Sequence, residues 1–151
     1  NTVSYITGLN VVNNIKWIGG VLADNGKIYG IPFFSDSVLI INPDDNTFDV
    51  SSISGLSQYG PYMWYGGSLS TNGKIYCSPF MAPFSLIIDP TNNSISCTDP
   101  ISFNIIKWGG SVVAQNTKIY FIPANEASVL ILKTGFPTLP YWMLAPQFNK
   151  L

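Results

Sequence analysis

A stretch from Lys16 to Thr47, KWIGGVLADNGKIYGIPFFSDSVLIINPDDNT, is written twice more in varied form, beginning at Trp64 (WYGGSLSTNGKIYCSPFMAPFSLIIDPTNNS) and at Lys107 (KWGGSVVAQNTKIYFIPANEASVLILKTG). Trp17 to Trp64 is 47 residues and Trp64 to Trp108 is 44, and Lys27, Lys74 and Lys118 keep the same two intervals. A chain built this way folds as three like units.

Within a unit, Trp17 to Ala23 reads as an innermost strand whose paired glycines let backbones crowd together near an axis. Asp24-Asn25-Gly26 then makes a tight hairpin turn, as does Thr71-Asn72-Gly73, because Asn-Gly accepts positive φ at both positions. In the third copy the turn reads Gln115-Asn116-Thr117, and losing the glycine raises the strain there. Lys27 to Pro32 is a second strand and Val38 to Ile41 a third, a short apolar run with both faces buried. Asn42-Pro43-Asp44-Asp45 and Asp89-Pro90-Thr91-Asn92 turn the chain into a fourth, outermost strand, Asn46 to Ser54 or Asn93 to Asp99. A period of this length, with several short apolar runs and no helical pattern, predicts an all-β fold of propeller blades, each a four-stranded antiparallel meander. The repeats fall at about 8–54, 55–99 and 100–135, and 136–151 is a tail rich in aromatics and proline, expected to lie against the blades.

Residues Asn1, Thr2, Val3, Ser4, Tyr5 and Ile6 resemble a fourth strand without the first three, whereas the last repeat supplies three strands and no fourth. Three blades turned by the usual angle do not close a ring, since propellers run to about four to eight. The ring is therefore expected to be completed by a second copy, by the rest of a longer parent, or by another partner's blades. Self-association through strand exchange is the favoured expectation, as a homodimer or larger assembly.

Only 10% of the residues are charged, against about 25% on average. Such a surface is either uncharged polar or covered by partners. The net charge of −1 and the scattered Lys and Arg give no electrostatic reason to expect nucleic acid or an anionic membrane. No apolar run approaches the roughly 20 residues of a membrane span. The chain opens NTVSYITGL, which reads as a processed or cut end, and the low charge with many Asn, Ser and Thr residues suggests an extracellular or cell-surface setting. Cys77 and Cys97 fall on the second and fourth strands of repeat two, about 9–10 Å apart. A bridge tolerates about 7 Å, so none is expected.

The NGKIY strand, the SVLII strand and the Asn-Pro or Asp-Pro turn resemble the blades of the YVTN, NHL and kelch group of β-propellers, and Asn25 to Thr47 follows that order closely. The resemblance implies the fold and leaves function open, because propellers host enzymes, lectins and scaffolds alike. No catalytic residue of the group has a matching position here.

The chain has no histidine, which excludes histidine triads and histidine metal sites. Most acids sit in turns; Asp36 and Glu126 alone project to the rim that carries the tryptophans. No catalytic residue, metal or cofactor is therefore expected, and the chain reads as non-enzymatic. The candidate binding residues are aromatic: Trp17, Phe33, Phe34, Trp64, Tyr65, Phe80, Phe84 and Trp108, joined by Tyr62. Rings with an apolar face and a polar edge suit protein hot spots and sugars alike. The leading expectation is a structural assembly module docking through this face; the alternative is a lectin-like, glycan-binding propeller. Asn92-Asn93-Ser94 is the one N-glycosylation triplet, with Asn92 as acceptor.

Overall fold

The computed structural model describes residues 1–10 and 15–134. The first sheet contains β1 (Trp17–Leu22), β2 (Ile28–Pro32), β3 (Leu39–Asn42) and β4 (Thr47–Asp49). The second contains β5 (Trp64–Leu69), β6 (Ile75–Pro79), β7 (Leu86–Asp89) and β8 (Ser94–Cys97), and the third β9 (Trp108–Val113), β10 (Lys118–Pro123) and β11 (Leu130–Lys133). Sequence neighbours pair throughout, so each sheet is an antiparallel meander and the molecule is three propeller blades in a row. The tail expected over 136–151 lies outside the described residues. Asn1 to Ile6, expected as an exchanged outer strand, take no strand conformation within the single chain and lie exposed. An outer strand needs a third strand to pair with, and among the described residues the third strand without a fourth is β11, at the far end of the row.

Each inner strand carries a bulge at the same place, between Trp17 and Gly20, Trp64 and Gly67, and opposite Phe121 and Pro123 in blade three. The bulge needs left-handed backbone, which Gly19 (φ 74°) and Gly66 (φ 69°) adopt without a Cβ penalty. Crowding near the axis is real: a Cβ on Gly19 would sit 3.1 Å from the Gly66 Cα.

The hairpin turns differ from the expected two-residue form. Ala23 N–H donates to Lys27 O at 2.9 Å and Gly26 N–H to Ala23 O at 3.0 Å, closing a three-residue loop in which Gly26, at φ 78°, is left-handed and Asn25 is not. Thr117 takes the same conformation in blade three at φ 64°, so a β-branched residue stands where Gly26 and Gly73 stand elsewhere.

What frees Asn25 from the backbone requirement is a second task. Its Oδ1 accepts from Lys27 N–H at 3.1 Å, and its Nδ2 donates to Tyr29 OH at 3.1 Å and to Pro90 O, in the outer turn of blade two, at 3.0 Å. Tyr29 OH donates in turn to Asn93 Oδ1 at 3.0 Å. Asn72 and Tyr76 repeat the arrangement toward blade three, where Asn72 Nδ2 donates to Thr134 O at 2.8 Å. The Asn and Tyr of the NGKIY motif are thus a latch that grips the next blade.

Strand alternation sorts each blade into two apolar faces. The leading face of blade one, built on Val21, Tyr29, Ile31, Val38 and Ile40, packs on the trailing face of blade two, built on Leu69, Ile75, Cys77, Leu86 and Ile88. Between blades two and three the leading positions are largely serine. Ser68 Oγ lies 2.9 Å from Ser111 Oγ, Ser70 Oγ bonds Thr134 Oγ1, and Ser85 Oγ donates to Cys77 O at 2.6 Å. Cys77 and Cys97 occupy β6 and β8 as free thiols, and burial pushes both pKa values up.

Candidate functional site

The loops between second and third strands and those between blades emerge at one end of the stack. Each second-to-third loop is clipped to the residue before its blade's first tryptophan or to that residue's equivalent: Phe33 N–H donates to Lys16 O at 2.9 Å, Phe80 N–H to Met63 O at 2.9 Å and Ala124 N–H to Lys107 O at 2.8 Å. The tryptophans close the same loops from the other side. Trp17 Nε1 donates to Ser37 O at 2.7 Å, Trp64 Nε1 to Phe84 O at 3.2 Å and Trp108 Nε1 to Ser128 O at 3.0 Å. Trp64 and Trp108 are only 1% and 4% exposed, so these two candidate ligand faces are corrected to braces whose one polar atom is already spent. Phe84 joins them: it packs against Trp64 and against Tyr59, whose ring centroids lie 5.7 and 5.4 Å from those of Trp64 and Phe84. Trp17 is half-buried against the open side of blade one.

The remaining candidates do come together. Phe33 lies 5.2 Å from Tyr62, 5.8 Å from Tyr65 and 5.8 Å from Phe80 by ring centroids, Phe34 lies 5.2 Å from Tyr62, and Tyr65 lies 5.5 Å from Phe80. Tilted and edge contacts of this kind hold rings rigidly. The cluster crosses from blade one to blade two, with Phe34, Tyr62 and Tyr65 exposed. Beside it, Phe34, Ser35, Ser57, Gly60 and Pro61 line a cleft of about 230 Å³.

The rim carboxylates are separate. Asp36 accepts from Ser57 N–H at 2.7 Å and Gly55 N–H at 3.2 Å, pinning a 3-10 turn over Leu56–Tyr59, and its hydrogen bonds to Ser57 and Gly55 hold its carboxyl below the usual range. Glu126, on blade three, accepts from Asn104 Nδ2 at 2.9 Å through Oε1 and lines a cleft of about 480 Å³ with Ser102, Ser128 and the apolar Val129, Leu130 and Ile131, at the open side of blade three. Next to it Lys107 is buried and donates from Nζ to Asn104 O at 2.6 Å; burial lowers its pKa, opposed by the Glu126 charge. Sequence reasoning passed over Lys107 because Lys16 holds the equivalent place at half exposure and Met63 shows the place takes a hydrophobe. Among the described residues no three His, Cys, Asp or Glu side chains gather as a metal site requires. Asn92 is exposed in the turn between β7 and β8.

No family model matches the sequence, and no curated protein matches it. Solved structures do match in fold, and they are β-propellers. Virginiamycin B lyase from Staphylococcus aureus, solved with quinupristin as a catalytically inactive histidine-to-alanine variant, is 15% identical with a TM-score of 0.58 over 83% of this chain and 44% of that one. The selenomethionine-substituted S. aureus enzyme is 19% identical with a TM-score of 0.59 over 85% and 44%. A streptogramin B lyase is 13% identical with a TM-score of 0.50 over 78% and 40%. At such identities the likeness is one of fold, and the chain spans less than half the length of these structures. The expectation of a non-enzymatic assembly module, with a lectin-like alternative, is overturned: these three structures are of lyases, and a non-enzymatic role has no support from them.

Proposed function

We propose that the chain is part of a lyase-type propeller enzyme in which its first two blades hold an apolar, ring-bearing ligand at the aromatic rim and blade three supplies the polar side. The observation that carries this reading is the Phe33–Phe34–Tyr62–Tyr65–Phe80 cluster, a continuous ring surface on the loop end of the stack. Flat rings held edge to face offer a ligand both apolar area and two tyrosine hydroxyls. The blade motif that resembles the YVTN, NHL and kelch group supports the same scaffold.

An elimination needs a proton acceptor at the rim. The chain holds no histidine, and the rim offers two carboxylates for that task, Asp36 and Glu126. Asp36 is committed to its 3-10 turn, whereas Glu126 is held through one oxygen by Asn104 and faces a cleft. Glu126 is the proton acceptor in this reading, and Asn104 orients it.

The test uses quinupristin as the probe. Calorimetric titration should give binding that Phe34→Ala and Tyr65→Ala each weaken about tenfold, in keeping with about 1–2 kcal/mol for a ring contact. Glu126→Gln should leave binding intact and remove any elimination product, an unsaturated species separated from the probe by chromatography. Absence of binding, or binding indifferent to both aromatic changes, refutes the reading.

A further inference from the structure

Blade three ends in a leading face with nothing on it among the described residues. Val112, Ile122, Val129 and Ile131 are each 50–53% exposed, while the residues at the same places in blade one, Val21, Ile31, Val38 and Ile40, are at most 7% exposed beneath blade two. The latch is open as well: Asn116 Nδ2 donates to Tyr120 OH at 2.8 Å and, unlike Asn25 and Asn72, to no carbonyl of a following blade.

What the face is shaped to receive can be read from the one it duplicates. Val112, Tyr120, Ile122, Val129 and Ile131 repeat Val21, Tyr29, Ile31, Val38 and Ile40 residue for residue, whereas blade two has serine at three of these five places. Blade one's face is filled by Leu69, Ile75, Cys77, Leu86 and Ile88. The trailing face of blade one, Leu22, Ile28, Gly30, Leu39 and Ile41, differs from that set only in Gly30 for Cys77. The outer turns agree too. Pro90 and Asn93, which take the Asn25 and Tyr29 bonds, correspond to Pro43 and Asn46, and Asn46 and Asn93 share left-handed φ values of 57° and 56°. Pro43 and Asn46 are exposed and Leu22 is 61% exposed, while Ile28 and Ile41 are half-buried and Gly30 and Leu39 buried within the single chain.

We infer that blade three of one chain docks on blade one of a second copy, with Asn116 and Tyr120 latching onto the second copy's Pro43 O and Asn46 Oδ1. Each copy then carries one knob and one socket, so two copies joined reciprocally give six blades related by a two-fold axis, with two identical junctions and no free blade face. The junction is a near duplicate of the one already formed between blades one and two, which is the argument for this occupant over an unrelated protein.

Light scattering with size exclusion decides it. The 151-residue chain should run at twice its 16.5 kDa mass. Val112→Glu with Ile131→Glu, on the leading face, and Leu22→Glu, on the trailing face, should each give monomers with unchanged β-sheet circular dichroism, because all three side chains are already exposed in the single chain. Mixing the two variants should restore a dimer, since the Leu22→Glu chain keeps a sound leading face and its partner a sound trailing face. Asn116→Ala should weaken dimerisation about tenfold across the two junctions. A monomeric wild type, variants that still self-associate, or a mixture that stays monomeric each overturn the inference.

Discussion

Removing one oxygen from the latch between blades one and two measures what holds neighbouring blades together beyond apolar contact. Tyr29 is wholly buried, its hydroxyl donates to Asn93 Oδ1 at 3.0 Å and accepts from Asn25 Nδ2 at 3.1 Å, and Asn25 keeps its own bond to Pro90 O at 3.0 Å. Tyr29→Phe leaves the ring in place and deletes only the hydroxyl. A net hydrogen bond is worth about 1 kcal/mol, and part of the cost of leaving Asn93 Oδ1 without its donor is recovered because Asn93 is only half-buried. The expected loss is therefore about 1–2 kcal/mol. Tyr120→Phe removes the same atom from blade three, where it meets only the exposed Asn116 amide, and in dilute solution should cost at most a few tenths of a kcal/mol. Urea unfolding of both variants gives the two numbers on one scaffold, and a double-mutant cycle of Tyr29→Phe with Asn93→Ala isolates about 1 kcal/mol of coupling. A loss at Tyr29 no larger than the few tenths expected for Tyr120 in the single chain, or no coupling, would show that the latch adds nothing and that the blades adhere by apolar packing alone.

Gly19→Ala should cost about 2 kcal/mol or more, because φ 74° disfavours a Cβ and that Cβ would meet the Gly66 Cα at 3.1 Å; a thermal midpoint unchanged from wild type would contradict the close approach. Acid should expose the role of Asp49, whose carboxyl is lowered to about 2 by hydrogen bonds from Ser52 and Ser51. Since the folded value lies below the ordinary 3.8, its stabilisation is complete above pH 3.8 and is lost as pH falls from there through about 2. The gap in melting temperature between wild type and Asp49→Ala should close over that window, and a gap that persists to pH 2 would remove the assignment.

The architecture was legible because the repeat fixes strand phases: Lys27, Lys74 and Lys118 each stand at the threshold of a second strand, and the apolar runs of Leu39, Leu86 and Leu130 became the third strands. The latch was written just as plainly in Asn25 and Tyr29, Asn72 and Tyr76, Asn116 and Tyr120, but Asn before Gly so strongly suggests a turn that its side chain escaped notice. Trp64 and Trp108 fit two readings at once, a ligand face and a plug between blades. A repeated tryptophan at a rim satisfies the pattern of a binding site, and only the carbonyls of Phe84 and Ser128, each 20 residues onward, reveal that the indoles are already engaged. The loop rings Phe33, Phe34, Phe80 and Phe84 stand out in the sequence because loops are usually wet, and all but Phe84 join the cluster around Tyr62 and Tyr65. Tyr59 does not stand out, since nothing local says that Asp36 would fold a turn and lay that ring over Trp64.

That pinned turn explains how the spacing between the first two tryptophans can exceed the next by three residues while the blades stack in the same way. The joints between blades lie on strand faces, at outer bends and at one repeated rim bond, Met63 N–H to Phe33 O and Lys107 N–H to Phe80 O, while the length of the connection between them is free to vary. Gly60 and Pro61, exposed beside the cleft, mark a place where foreign sequence could be spliced in with the strands unchanged, so a change of surface is most readily introduced there.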